Sequence, residues 1–288
     1  MAIQRHHPKI QLLENNPLTK LLPYGSLILV CSIIGIVLLA NILERWVLPR
    51  VHRRVYAELQ ERKDERRRRS FVYFHVGTFI LASLLVSTAY PIFAFLAGNA
   101  HFHTPVSKGG TVTVGDFLFV AAEVYSAYYL FEMCFRTKFA SYISIAHHIG
   151  LLVITQTAIS LFAEPEKHPE ATLEFYMCMV WGAFDVIVEL PIFITMIIWR
   201  VKRENSALLS KLAFGCCIWA VTAAGVETIV TIYLLNSSWT RWAIEWKIAT
   251  PTVFALWITT QLYGATRLYA MGRAESRKGK VVSDSHSV

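Results

Sequence analysis

Seven blocks of predominantly apolar residues, separated by short polar segments, constrain this chain more than any other feature. They are Tyr24–Leu48, Phe71–Gly98, Thr113–Phe135, Ser141–Ala163, Thr172–Trp199, Leu212–Leu235 and Trp242–Leu268. Each reaches the ~20 residues that a helix needs to cross a ~30 Å hydrocarbon layer. Inside that layer the backbone must satisfy its own hydrogen bonds, so blocks of this length predict helices. The expected fold class is therefore all-α, a polytopic membrane protein with about seven transmembrane helices. The last block is the weakest, because Glu245 and Lys247 must lie at its interfacial end.

Composition agrees: 55% of the 288 residues are hydrophobic and the mean hydropathy is +0.43. A net charge of +8 would be compatible with nucleic acid. Here the basic residues sit between apolar blocks, where they set topology and offer no independent binding fold, so nucleic acid is not an expected partner. The five cysteines all lie within apolar blocks with no Cys-x-x-Cys or Cys/His set, and read as small buried hydrophobes. The first 20 residues are polar, which predicts no removable signal peptide and makes the first block both anchor and first helix.

Orientation follows from the distribution of Lys and Arg. Twenty of the 28 fall in Pro49–Ser70, Arg136–Ala140, Arg200–Lys211 and Arg267–Val288; only six fall in the alternating segments. The split alternates strictly with the blocks, placing the basic segments in the cytosol and the amino terminus on the far side. The run VHRRVYAELQERKDERRRRS reads first as a topology determinant against anionic headgroups, and second as a retention signal or phosphoinositide site. Asn236-Ser237-Ser238 is a candidate glycosylation acceptor on the far side. The tail from Ala270 is short and polar, and disorder is expected there.

Ionisable groups inside a membrane span are costly and therefore mark candidate sites. The third block carries Glu123 and Glu132 with Tyr125, Tyr128 and Tyr129; the fourth carries His147-His148. On the fifth, Glu174, Cys178, Trp181, Asp185 and Glu189 form a stripe at i, i+4 spacing. Glu227 lies on the sixth and Gln261 on the seventh. At 1.5 Å per residue, His147, His148 and Gln261 lie ~10 Å from the cytosolic ends of their helices, Glu189 ~15 Å and Glu132 ~5 Å. These depths let them converge in one cavity, with Asp185, Glu123 and Glu227 as its floor or as a separate cluster. An imidazole beside a carboxylate can serve as general base toward an amine or hydroxyl; the plainer reading is that the same groups hydrogen-bond helices together. Adjacent histidines project ~100° apart on a helix, which argues against a metal site. Pro191, two residues after Glu189, predicts an interruption with a freed carbonyl one turn earlier.

The run YYLFEMCFRTKFASYISIAHHIGLLVITQT, with FYMCMVWGAFDVIVELPIF on the fifth block, resembles the TLC (TRAM-LAG-CLN8) domain over roughly Phe71–Tyr269. The resemblance implies a six-helix TLC bundle at residues 71–269, preceded at 1–70 by the first helix and basic linker and followed at 270–288 by the tail. It also implies residence in the endoplasmic reticulum and a part in lipid, specifically sphingolipid, metabolism. In the ceramide synthases of that family, a His-His pair and a His-Asp pair are associated with acyl transfer to a sphingoid amine. Carried over, His147 and His148 match the first pair. At the second, three residues before Asp185, stand Trp181 and Gly182, where only Asp185 or Glu189 could stand in; by that departure the chain resembles more the divergent TLC proteins, for which lipid sensing, trafficking or membrane-composition roles are inferred. The candidate catalytic residues are thus His147, His148, Asp185 and Glu189, and the candidate substrate-binding residues Glu132, Tyr129, Trp181 and Gln261. No resident cofactor is implied, acyl-CoA would be a co-substrate, membrane lipids are the expected partners, and a homo-oligomer is left open.

Overall fold

The computed structural model describes residues 17–61, 64–136, 141–164, 166–168 and 170–285. It is a bundle of long helices: α1 (Leu22–Val51), α2 (Arg53–Glu61), α3 (Glu65–Leu96), α4 (Val114–Arg136), α5 (Tyr142–Leu161), α6 (Glu170–Val201), α7 (Ser206–Ser238) and α8 (Ile244–Ser285). Six of them, α1 and α3 to α7, are long and apolar enough to cross a membrane. The protein is therefore an all-α polytopic membrane protein.

The seventh expected block forms α8, which is less apolar than the others and falls outside that set of six. It nevertheless runs antiparallel along α7. Trp257 donates to Glu227 at 3.1 Å near the middle, and Ser210 donates to the Gly272 carbonyl at 3.0 Å toward the end. Beyond Ala270, where disorder was expected, the helix continues. Gly272 is buried against the Phe214 ring, and Glu275 is buried while pairing with Lys278 at 2.6 Å. The polar composition misled because a glycine lets α8 approach α7 closely enough to keep this stretch packed.

Local rules explain the breaks. Pro49 has no N–H for the carbonyl one turn back, and the chain just before it, Leu43–Val47, is wound as a single π turn. Asp64 caps α3 by accepting from the Arg67 backbone N–H at 3.0 Å, so α3 begins at Glu65 and the domain boundary expected at residue 70 falls inside a helix. Nor does α1 stand apart from the rest of the bundle: Gly25 lets it close on Phe119 of α4, with Ile36 and Ala40 buried lower down. In the loop before α4, Gly109 at φ 74° makes the turn of a small hairpin closed by Val106 N–H to the Val112 carbonyl at 3.0 Å.

Contacts between helix ends sort the bundle into two faces. On one, Arg203 reaches Glu58 at 3.1 Å and Arg69 donates to the Phe135 carbonyl at 3.3 Å, which joins the basic ends of α2, α3, α4 and α6. At the other, Thr19 donates to Asp116, Tyr176 donates to the Leu96 carbonyl at 3.0 Å, and Thr250 donates to the buried Glu174 at 2.9 Å. All five cysteines are free thiols. Cys178 and Cys216 are buried, but Cys31 and Cys134 are exposed on helix surfaces, where burial was expected; an apolar block facing lipid needs no protein neighbour.

Candidate functional site

Near the basic end, α4, α5, α6 and α8, with Tyr73 of α3 and Ala220 of α7, line a cavity of about 210 Å³ whose largely apolar wall carries a group of polar side chains. Glu132, His147, His148, Asp185, Glu189 and Gln261 all line it, so the residues matched by depth in the sequence do meet. His147, His148, Asp185 and Glu132 are each less than a tenth exposed.

The two imidazoles occupy different walls, as the ~100° step between neighbours on a helix requires. His148 faces α4: its Nε2 lies 3.2 Å from the Ser144 hydroxyl and 3.5 Å from Glu132 Oε2, and its ring is 4.5 Å from that of Tyr129. His147 faces α8, edge-on to the Trp257 ring at 4.5 Å. Glu132 is held from the far side by Arg136 at 3.1 Å, whose guanidinium stacks over the Tyr73 ring at 4.3 Å.

Asp185 is committed elsewhere, accepting hydrogen bonds from both Tyr125 and Tyr129. It forms a wall and leaves Glu132 as the carboxylate paired with His148. Gln261 donates to Glu227 at 2.9 Å, and Trp257 donates to the same carboxylate, so Glu227 anchors the α8 side from behind. Glu123 belongs to a separate cluster with Gln156 and Ser126.

Two expected binders lie off the cavity. Trp181 is 1% exposed, donates its indole N–H to Thr231 at 3.0 Å and stacks on Phe254, so it joins α6 to α7 and α8 away from the His147/His148 cavity. Its place on the Asp185/Glu189 stripe does not bring it to the cavity, because a tryptophan on that face swings toward the helices that accommodate its bulk. Tyr129 lines instead a smaller apolar pocket of about 60 Å³ on the other side of the tyrosine wall. Gly182 also lines that pocket and opens on free space. Asn236 is exposed in the last turn of α7, so its acceptor triplet is helical.

Arg136, Ser144, Tyr73 and Trp257 line the cavity and were not singled out as site residues from sequence. Three of them carry a signal: Arg136 follows Glu132 by four, Ser144 precedes His148 by four, and Trp257 precedes Gln261 by four, the spacing that puts neighbours on one helical face.

Around this cavity several buried polar atoms have no hydrogen-bond partner among the described residues: one donor, Arg136 Nε, and five others, Glu132 Oε2, His147 Nδ1, His148 Nδ1, Glu189 Oε2 and Gln261 Oε1. The three side-chain oxygens of the acids and the amide can only accept, or donate in the acids' case if protonated, and each imidazole nitrogen accepts in one of its tautomers. The described residues contain no group of three or more His, Cys, Asp or Glu side chains arranged to hold a metal ion. Compared with protein-family models, with curated proteins and with solved structures, the chain matches none.

Proposed function

We propose that this membrane protein binds the polar headgroup of a lipid in the His147/His148 cavity and transfers an acyl group to it. The observation that supports this reading is the set of acceptors without hydrogen bonds gathered around one enclosed space. A buried polar atom left unmatched costs about 1–3 kcal/mol, so a headgroup bearing amine or hydroxyl donors recovers that penalty on entering.

The chemistry follows from the imidazoles, each a general base in its neutral form. With an acyl thioester as co-substrate, the headgroup nitrogen or oxygen attacks the thioester carbonyl while His148 or His147 takes its proton. The new C–N or C–O bond forms as the C–S bond breaks, and the imidazolium returns the proton to the departing thiolate. Glu132, held by Arg136, steadies the imidazolium of His148. The resemblance to TLC proteins supports the same reading, as it does residence in the endoplasmic reticulum with the basic bundle end cytosolic.

A second reading is binding without chemistry, as in lipid sensing or trafficking. It is favoured by Asp185, which spends its charge on two tyrosines and orients neither histidine. Replacing His147 and His148 together by Ala separates the two. An acyltransferase predicts an altered cellular lipidome with normal folded yield. An unchanged lipidome at normal yield sinks the transferase reading, and lost yield assigns the pair to packing.

A further inference from the structure

Hydroxyls on these helices are mostly spent on the backbone. Thr78, Thr88 and Ser160 each donate to the carbonyl four residues back, at 2.7, 2.6 and 2.7 Å, the usual local partner for Ser and Thr in a membrane helix. Ser144 differs. It is the third residue of α5, its backbone N–H is taken at 3.2 Å by the Ser141 hydroxyl that caps the helix, and its own hydroxyl lies 3.2 Å from His148 Nε2. Both side chains line the His147/His148 cavity.

The pair has the geometry of an activated nucleophile, with hydroxyl and base within the ~2.6–3.2 Å reach at which an imidazole draws off the proton. The competing partner of Nε2 is farther away: Glu132 Oε2 lies at 3.5 Å and makes no hydrogen bond among the described residues. In the tautomer with its proton on Nδ1, His148 accepts from Ser144, and Glu132 is close enough to steady the imidazolium that forms. The first turn of α5 adds the positive end of a helix dipole, which favours an oxygen gaining negative charge. Arg136, which also lines the cavity, keeps its Nε–H unpaired and is a donor for the oxyanion of a tetrahedral intermediate.

We propose that Ser144 is the nucleophile that carries the acyl group from the thioester to the lipid headgroup, with His148 as its general base. The proposal rests on the acyl-transfer reading of this cavity and divides that transfer into two half-reactions. In the first, Ser144 Oγ attacks the thioester carbonyl and gives its proton to His148 Nε2; the C–O bond forms, the C–S bond breaks, and the imidazolium protonates the departing thiolate. In the second, the headgroup amine or hydroxyl attacks the serine ester while His148 takes its proton. The new C–N or C–O bond forms, the bond to Oγ breaks, and the proton returns to Ser144.

The two halves separate when no acceptor is supplied. The full chain in phosphatidylcholine nanodiscs is mixed with palmitoyl-CoA and quenched over time, released CoA being read by chromatography and the protein adduct by intact mass and peptide mapping. The expected result is a burst of about one CoA per protein with a palmitoyl ester on Ser144, whereas direct attack by a headgroup would release none. Ser144→Ala is expected to lose both burst and adduct. Ser144→Cys should keep both, its adduct now a thioester cleaved by neutral hydroxylamine, a change of linkage that a merely structural serine would not produce. His148→Ala should slow the burst about 100-fold or more, the least that a positioned general base contributes. Ser160→Ala, at an exposed serine bonded to its own helix, should leave the burst unchanged.

If Ser144→Ala does not fold, the mapped ester and Ser144→Cys carry the comparison. A burst that persists in Ser144→Ala, or an adduct mapped to another residue, overturns the role of Ser144. Acyl transfer from palmitoyl-CoA to an added membrane lipid extract with no burst also overturns it and leaves the acyl-transfer reading standing. Neither burst nor transfer overturns both.

Discussion

The residue that most changes the reading of the cavity is Arg136. From sequence it is a topology charge at the end of the third block; in the fold it turns inward, stacks on Tyr73 and clamps Glu132 at 3.1 Å, with both side chains largely out of solvent. Removing one member of such a pair strands the other charge, which costs about 3 kcal/mol or more, whereas removing both costs far less. Arg136→Met is thus expected to be strongly destabilising, and adding Glu132→Gln should restore most of the loss. Thermal unfolding of the three variants in one detergent checks this. Additive losses would mean that the two side chains do not act as a pair.

At the scale of the helices, α6 shows how a membrane bundle accommodates proline. The sequence predicts an interruption near Pro191, yet the helix runs unbroken from Glu170 to Val201. The carbonyl freed by the proline, that of Ile187, accepts the indole N–H of Trp219 on α7 at 3.1 Å. Repair by a neighbouring helix is what makes proline tolerable in lipid, and no local pattern in α6 announces it. The same limit explains the other differences. Period and hydropathy are local quantities and made the helices legible, together with the depth at which His147, His148, Glu189 and Gln261 meet. The engagement of Asp185 by two tyrosines, the diversion of Trp181 to Thr231 and the packed extension of α8 depend on residues 50 or more positions away. Trp219→Phe should cost about 1 kcal/mol, at the upper side of typical interhelical bonds in membranes. In a Pro191→Ala background, where the helix recovers its own N–H, the cost should nearly vanish. A double-mutant cycle reads the coupling directly, and an equal cost in both backgrounds would assign the Trp219 effect to packing.

For the whole molecule, the decisive quantity is which side each helix end faces. Charge counting reads this as a pattern along the sequence, while the fold shows which helix ends lie together. The basic ends of α2, α3, α4 and α6 touch one another, and the same end receives α8, since Ser210 at the start of α7 meets Gly272. Because α8 runs antiparallel to α7 along its length, its modest hydropathy does not place it flat on a membrane surface. Two of its polar groups are answered by other helices, Gln261 by donating to Glu227 and Thr250 by donating to Glu174, while Thr252, Thr259 and Thr266 donate to carbonyls of their own helix. A helix whose polar groups are answered inside the bundle can cross with fewer apolar residues than one facing lipid on all sides. The expectation is that a reporter fused after Val288 and a cysteine introduced at Arg66 are both reached from the cytosol. Cysteines at Lys108 and Thr240 should be reached only from the opposite side. If the reporter after Val288 appeared with Lys108 and Thr240, α8 would not cross, and the alternation of charge would lose its last step.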